Sequence, residues 1–355
     1  MNRQKWTLLV AAQRVRGRSW GTPWKGLVVA CLGVAGGMLL GEASLQARGT
    51  GCERAPDCVK QLKYGETDRI REQAARNLGE LGDPQGGETL AMALGEDPGE
   101  FVRVYAAEAL GRLGKAEGAA PLARALKEDP RETVRRAAAR ALGKLEGEKA
   151  DPPLWEALLQ DSDWETRLAA ADSLGRTARE QSGDVLAQAL LAEGRVEVRR
   201  KVAWSLGRLK YSKPHAQAQA ALNQALEKDT SEVVRVEAAQ SLSAVGSDSA
   251  DAILMATLTN DRNPAVRAAA ATALGVRKTK KAVNLLVRTV RSDRDLVVRV
   301  AAVKALGEVG GEEAAKALGY FALHSESVRV KLYAGEALKK LESNQTASPS
   351  KPLSP

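Results

Sequence analysis

From residue 52 to about residue 341, apolar positions return with a helical period, and the whole pattern then repeats. The clearest copies read VRVYAAEALGRLG (102–114), VRRAAARALGKLE (134–146) and VRVAAVKALGEVG (298–310). The Leu of this phrase falls at Leu78, Leu110, Leu142, Leu174, Leu206, Leu242, Leu274, Leu306 and Leu338. Every step is 32 residues except one of 36, between Leu206 and Leu242. Seven residues before each Leu stands Arg71, Arg103, Arg135, Arg167, Arg199, Arg235, Arg267, Arg299 or, in the ninth copy, Lys331. Six residues before these, from the second copy on, comes an acid: Asp97, Asp129, Asp161, Glu193, Asp229, Asp261 and Asp293, with Ser325 in the ninth.

Each unit predicts two helices. The first follows an A-x-x-x-L-x-x-A-L pattern, as in AAPLARALKED (119–129). A turn carrying the acid, often with Pro (Asp97-Pro98, Asp129-Pro130), stops it and starts the second. The second helix is the VR phrase, ended by Gly82, Gly114, Gly246 or Gly310 in the better copies. Neither helix can bury its apolar stripe alone, so neighbouring units must stack, giving an all-α, quasi-one-dimensional solenoid of nine helix pairs over 52–342.

The D-x5-R-x-x-A-A-x-A-L-G pattern resembles HEAT repeats of the short, phycobilisome-lyase-like type. The resemblance implies a right-handed α-solenoid, armadillo/HEAT-like, with the VR helix on its concave side. The type is named for bilin lyase subunits but occurs on unrelated scaffolds, so the name itself says little about activity.

Stepping about 100° per residue from the recurrent Arg places the buried stripe near 300°, with the Arg on its shoulder. An acid in the preceding turn and an Arg at that shoulder predict a structural ladder: Asp97, Arg103, Asp129, Arg135, Asp161, Arg167, Glu193, Arg199, Asp229, Arg235, Asp261, Arg267, Asp293 and Arg299. Each pair would satisfy turn amides and tie one repeat to the next. The Gly after the Leu, as in Gly111 and Gly143, would let neighbouring helices approach closely.

Positions one, five and nine residues after the Arg lie on the opposite face and would line a groove. They are Arg112 in repeat two, Arg136, Arg140 and Lys144 in repeat three, Arg176 in repeat four, and Arg200, Trp204 and Arg208 in repeat five. Repeats six and seven present Val236, Gln240, Ala244, Ala268, Thr272 and Val276. The groove thus starts basic and becomes nearly apolar. Trp204 between two Arg reads either as an interface anchor or as a ring folded onto a neighbour. The 36-residue step adds four residues around 210–215, predicting a longer loop that bends the stack or forms a rim contact.

Composition narrows the chemistry. The 355 residues include 2 Phe, 5 Tyr, 2 His and 3 Cys. His215 and His324 alone support neither a metal site nor an acid–base pair, and no phosphate loop or Ser-His-Asp set is visible. No cofactor is expected. Net charge is +9, but residues 1–43 hold six Lys/Arg against one acid, which removes most support for nucleic-acid binding.

Those residues read as an address. A basic stretch without acids (1–25) precedes the uncharged GLVVACLGVAGGMLL (26–40) and a small-residue exit, the pattern of an export signal cleaved after Ala43 or Ala47. Uncleaved, residues 26–45 would anchor the chain in a membrane. Residues 44–51 read as a linker and 343–355 (SNQTASPSKPLSP) as a disordered tail. Export to an oxidising compartment makes Cys52 and Cys58 a candidate disulfide.

These features together predict a non-enzymatic exported scaffold, periplasmic or secreted, that holds an acidic or amphipathic segment of another protein in its groove. A chromophore-lyase-like subunit or chaperone and a nucleic-acid-binding solenoid are the alternatives.

Overall fold

A computed structural model describes residues 51–145, 147–212 and 215–346. The export segment, all but Gly51 of the 44–51 linker and residues 347–355 of the tail lie outside the described residues. Eighteen α-helices run from Ala55–Tyr64 to Val328–Thr346, with no strand among the described residues beyond an isolated bridge between Arg179 and Lys210. No helix among these residues is long and apolar enough to cross a membrane.

The helices alternate as the periodicity requires. In repeat two Gly87–Glu96 pairs with Glu100–Leu113, in repeat three Ala119–Glu128 with Glu132–Leu142, and in repeat four Asp151–Gln160 with Trp164–Thr177. Repeat five pairs Gly183–Ala192 with Val196–Arg208, and repeat six Ala216–Lys228 with Glu232–Val245. The Leu of each phrase is buried from Leu78 to Leu306, and Leu122, Leu154, Leu186, Leu222, Leu254 and Leu286 face it from the first helices. Leu338, in the last helix pair described, is only half-buried. One continuous apolar seam therefore joins all nine pairs, as expected of an α-solenoid.

Three helix ends differ from expectation. Gly82, Gly114 and Gly310 take positive φ, but Gly246 ends its helix in an extended conformation at φ −70°. Ala178 and Lys278 occupy the left-handed region instead, at φ 54° and 52°. The last helix also continues to Thr346, four residues into the stretch read as tail.

The four extra residues between repeats five and six do not break the stack. Their loop folds back on its neighbour: Lys210 N–H donates to the Ala178 carbonyl at 3.0 Å and Ser212 N–H to Glu180 at 2.7 Å. This is a rim contact. His215 then caps helix Ala216–Lys228, its Nδ1 accepting from Ala218 N–H. At the other end, Cys52 and Cys58 are bonded to each other, and the Asn77 side-chain amide donates to the Cys52 carbonyl at 2.9 Å. That bond pins the start of the solenoid onto the second helix of repeat one.

Candidate partner-binding groove

The groove begins with a close approach. A Cβ placed on Gly79, Gly111, Gly143, Gly175, Gly207, Gly275 or Gly307 would lie 2.5–2.8 Å from the side chain or backbone of the next second helix. Only a missing side chain allows this spacing. The first helices carry no such row of glycines, so the second-helix layer is the tighter one.

In the middle of the solenoid this seam also carries hydrogen bonds. The residue before the Leu is Ala in most repeats, but Ser173, Ser205 and Ser241 stand there in repeats four to six. Each buried hydroxyl donates to a carbonyl of the preceding second helix: Ala139 at 2.9 Å, Ala171 at 2.7 Å and Ala203 at 2.8 Å. The sequence reading missed these ties. Its available clue was three successive polar residues at the closest point of an otherwise Ala-lined contact.

The ladder fixes the rim. Each guanidinium from Arg71 to Arg267 gives Nε and Nη2 to the acid of the following repeat, with Nε–O distances of 2.7–2.9 Å. Its Nη1 donates backwards, at 2.9–3.2 Å, to the carbonyl of the residue six positions earlier. Each acid in turn accepts the backbone N–H two residues on, at 2.8–2.9 Å. The acid six residues before an Arg therefore meets it only through its carbonyl; the carboxylate partner comes from one repeat further on. Arg199 keeps Asp229 at 2.7 Å even across the 36-residue step. Arg299 is the exception: Ser325 replaces the acid, and its Nε is buried without a hydrogen-bond partner.

Burial alone would push the carboxyls of Glu193, Asp261 and Asp293 up, but hydrogen bonds from their Arg partners and from turn amides hold each below the ordinary range. A lowered folded pKa means stability that is present above the ordinary carboxylate range and lost as pH falls through the folded value. Asp151 and Glu237 carry the opposite sign, raised chiefly by desolvation, and their protonation relieves a cost as pH falls. With more lowered than raised groups, the melting temperature should drop steeply in acid. A melting temperature that stays flat from neutral pH into the acid range would contradict these rungs.

The groove face itself departs from the helical-wheel view. Arg136 is not free: it pairs with Asp163 at 3.3 Å and with Glu165, both from the next repeat. Asp172 takes Arg176 and Lys201, each at 2.7 Å, and Arg112 lies 3.9 Å from Glu108. Arg140, Lys144, Arg200 and Arg208 remain exposed with no ion pair among the described residues. Trp204 is half-buried with its ring against Gly175, Lys201 Nζ 4.3 Å and Arg208 5.5 Å from the ring centroid. Glu237, on the second helix of repeat six, is half-buried, with the Arg200 and Lys201 charges drawing its carboxyl only part of the way back from the upward push of burial.

Further along, Gln240, Ala244, Thr272 and Val276 are exposed, while Val236 and Ala268 pack partly against the core. No group of three or more His, Cys, Asp or Glu suited to a metal occurs among the described residues. Two open cavities, of about 580 and 470 Å³, lie on the first-helix side, one lined by Arg124, Lys127, Pro152 and Glu156 and the other by Thr259, Arg288 and Ser292.

Residues 55–143, 100–175, 183–262 and 252–339 match the family pattern described as HEAT repeats. The chain belongs to the HEAT-repeat family. Among solved structures, this HEAT-repeat chain is similar to Kap95p in its complex with RanGDP, at 14% identity and TM-score 0.59, covering 83% of this chain and 45% of that one. It also resembles YibA of Escherichia coli, at 19% identity and TM-score 0.49, covering 79% and 99%. The CpcE–CpcF phycocyanin lyase complex of Nostoc sp. PCC7120 aligns at 23% identity and TM-score 0.39, covering 72% and 94%. A search of curated proteins finds no match by sequence.

Proposed function

We propose that this HEAT-repeat chain is a non-catalytic scaffold that grips a segment of another protein along the second-helix face of repeats three to seven. The observation that carries the reading is the set of four exposed cations without an ion pair among the described residues, Arg140 and Lys144 in repeat three and Arg200 and Arg208 in repeat five, where Arg208 also lies over the Trp204 ring. Unpaired guanidinium and ammonium groups steer and select an acidic chain, while a ring already held between cations adds apolar area with little ordering cost. The following stretch, with Val276 exposed at 58%, suits the apolar side of the same segment. An acidic, amphipathic partner segment meets both halves. That Kap95p, a longer solenoid, binds Ran is a fold-level analogy and no more.

The scaffold is further proposed to work outside the cytoplasm. The N-terminal basic-then-apolar pattern and the bonded Cys52–Cys58 pair both support export.

The test is affinity capture from an envelope fraction by the wild-type chain and by a variant carrying Arg140→Glu, Arg200→Glu and Arg208→Glu. Partner recovery should fall about tenfold or more, a loss of ~1.4 kcal/mol or above. The melting temperature should fall only modestly: no described ion pair is broken, though Arg200→Glu removes a charge that offsets the burial of Glu237 and Arg208→Glu a cation from the Trp204 ring. Equal recovery by both proteins would remove the basic half of the groove from the binding surface.

A further inference from the structure

Seven consecutive rungs define what the ladder position holds: a guanidinium fork from one repeat and two carboxylate oxygens from the next, one of which also accepts a turn N–H. The eighth rung has every donor and no acceptor of that kind. Arg299 supplies the guanidinium, its Nε buried and unpartnered. The turn supplies the Ser327 N–H, which reaches only the Ser325 hydroxyl, at 3.3 Å. A hydroxyl ends one carbon and one oxygen short of the carboxylate that fills this place in the other repeats. Lys331, which takes the Arg position in the ninth repeat, is exposed in the first turn of the helix Val328–Thr346 that follows this turn.

A buried N–H donor without an acceptor is costly, and an ionised one more so, because the group has lost its water without gaining a partner. The seven completed rungs show that this geometry accepts a planar pair of oxygens. We propose that the Arg299–Ser325 position is an oxyanion-binding site, in which a carboxylate or phosphate-type group accepts from the Arg299 guanidinium and the Ser327 N–H. The anion is supplied either free or as an acidic side chain presented on a partner's turn. The site sits at the last inter-repeat rung and uses none of the groove residues.

The test follows the Arg Nε–Hε resonances of the full chain by NMR during titration with acetate, with inorganic phosphate and with a blocked Asp-Pro-Gly peptide copying the turn at Asp97. The Arg299 resonance should shift and saturate in the millimolar range, while those of the seven paired arginines stay still. In Ser325→Asp the resonance should already lie among the paired set, respond to no anion, and the protein should melt higher than wild type. Stronger response to the peptide than to acetate assigns the anion to a partner side chain; equal response assigns it to a free ion. No shift of Arg299 with any probe, or the same shift in Ser325→Asp, overturns the proposal.

Discussion

Asp229→Ala should destabilise the chain by about 3 kcal/mol, with the loss centred on the junction between repeats five and six. Two partners are stranded by this one change. Arg199, 13% exposed, loses both oxygens of its bidentate pair, and the Ser231 N–H loses the acceptor that closes its turn. The charge left behind is the expensive part, because a nearly dry guanidinium cannot recover full hydration without opening the rim. Removing the whole rung with Arg199→Met and Asp229→Leu should therefore cost less than Asp229→Ala alone, although it deletes more hydrogen bonds. Because a solenoid's stability is close to a sum of nearest-neighbour terms, hydrogen exchange should quicken in Val196–Arg208 and Glu232–Val245 before it does at either end. Urea unfolding of both variants decides the matter. A single mutant as stable as wild type, or a double mutant weaker than the single, would show that the rung does not hold these repeats together.

The architecture was legible because repetition multiplies a weak local signal. One VR helix is an ordinary amphipathic helix; nine in one register leave stacking as the only way to bury the stripe. Partner choice within the ladder was less legible. The acid six residues before Arg103 is its neighbour in the chain, but the carboxylate its fork reaches is Asp129, contributed by the next repeat. A spacing of six cannot be told from one of 26 when the unit itself recurs every 32 residues. The groove failed in the same way at Arg136. A wheel drawn on one helix places it toward solvent and has no view of Asp163 and Glu165 on the following repeat. Arg140 makes no such pair because Glu108 and Asp172, the acids in its register position one repeat before and after, lie against Arg112 and against Arg176 and Lys201, which is a property of neighbouring helices and not of one.

The same two-helix logic shows why the seam serines and the groove cations occur together. Repeats four to six carry Ser173, Ser205 and Ser241 at the closest contact, and Arg200, Trp204 and Arg208 project from the same stretch. A hydroxyl-to-carbonyl bond at each step adds direction to a contact that Ala makes by shape alone, so it fixes rotation as well as spacing. The cations on that stretch are held at set positions relative to one another. If that face docks a partner as proposed, on a stack of otherwise separable units it needs that rigidity more than it needs extra stability.

Gly111→Val should be among the most damaging single changes in the chain. A Cβ at Gly111 would sit 2.8 Å from the Ala141 Cα and 3.3 Å from its carbonyl oxygen, both backbone atoms that no rotamer change can move. The helix Glu132–Leu142 must then slide away, opening the apolar seam between repeats two and three. Overpacking of this kind costs about 3 kcal/mol, and the gain from removing a helical glycine, about 1 kcal/mol at most, does not offset it. Gly95 gives the control from the same repeat. It lies in the first helix, Gly87–Glu96, with nothing within 4 Å of an added Cβ. There Gly95→Ala should raise stability by a few tenths of a kcal/mol, the propensity term acting alone near a helix end. Two glycine substitutions in one repeat thus carry opposite signs, and denaturant midpoints measure both. If Gly111→Val unfolds at the wild-type midpoint, the second helices are not in backbone contact, and the close-packed layer that displays Arg140 and Trp204 loses its basis.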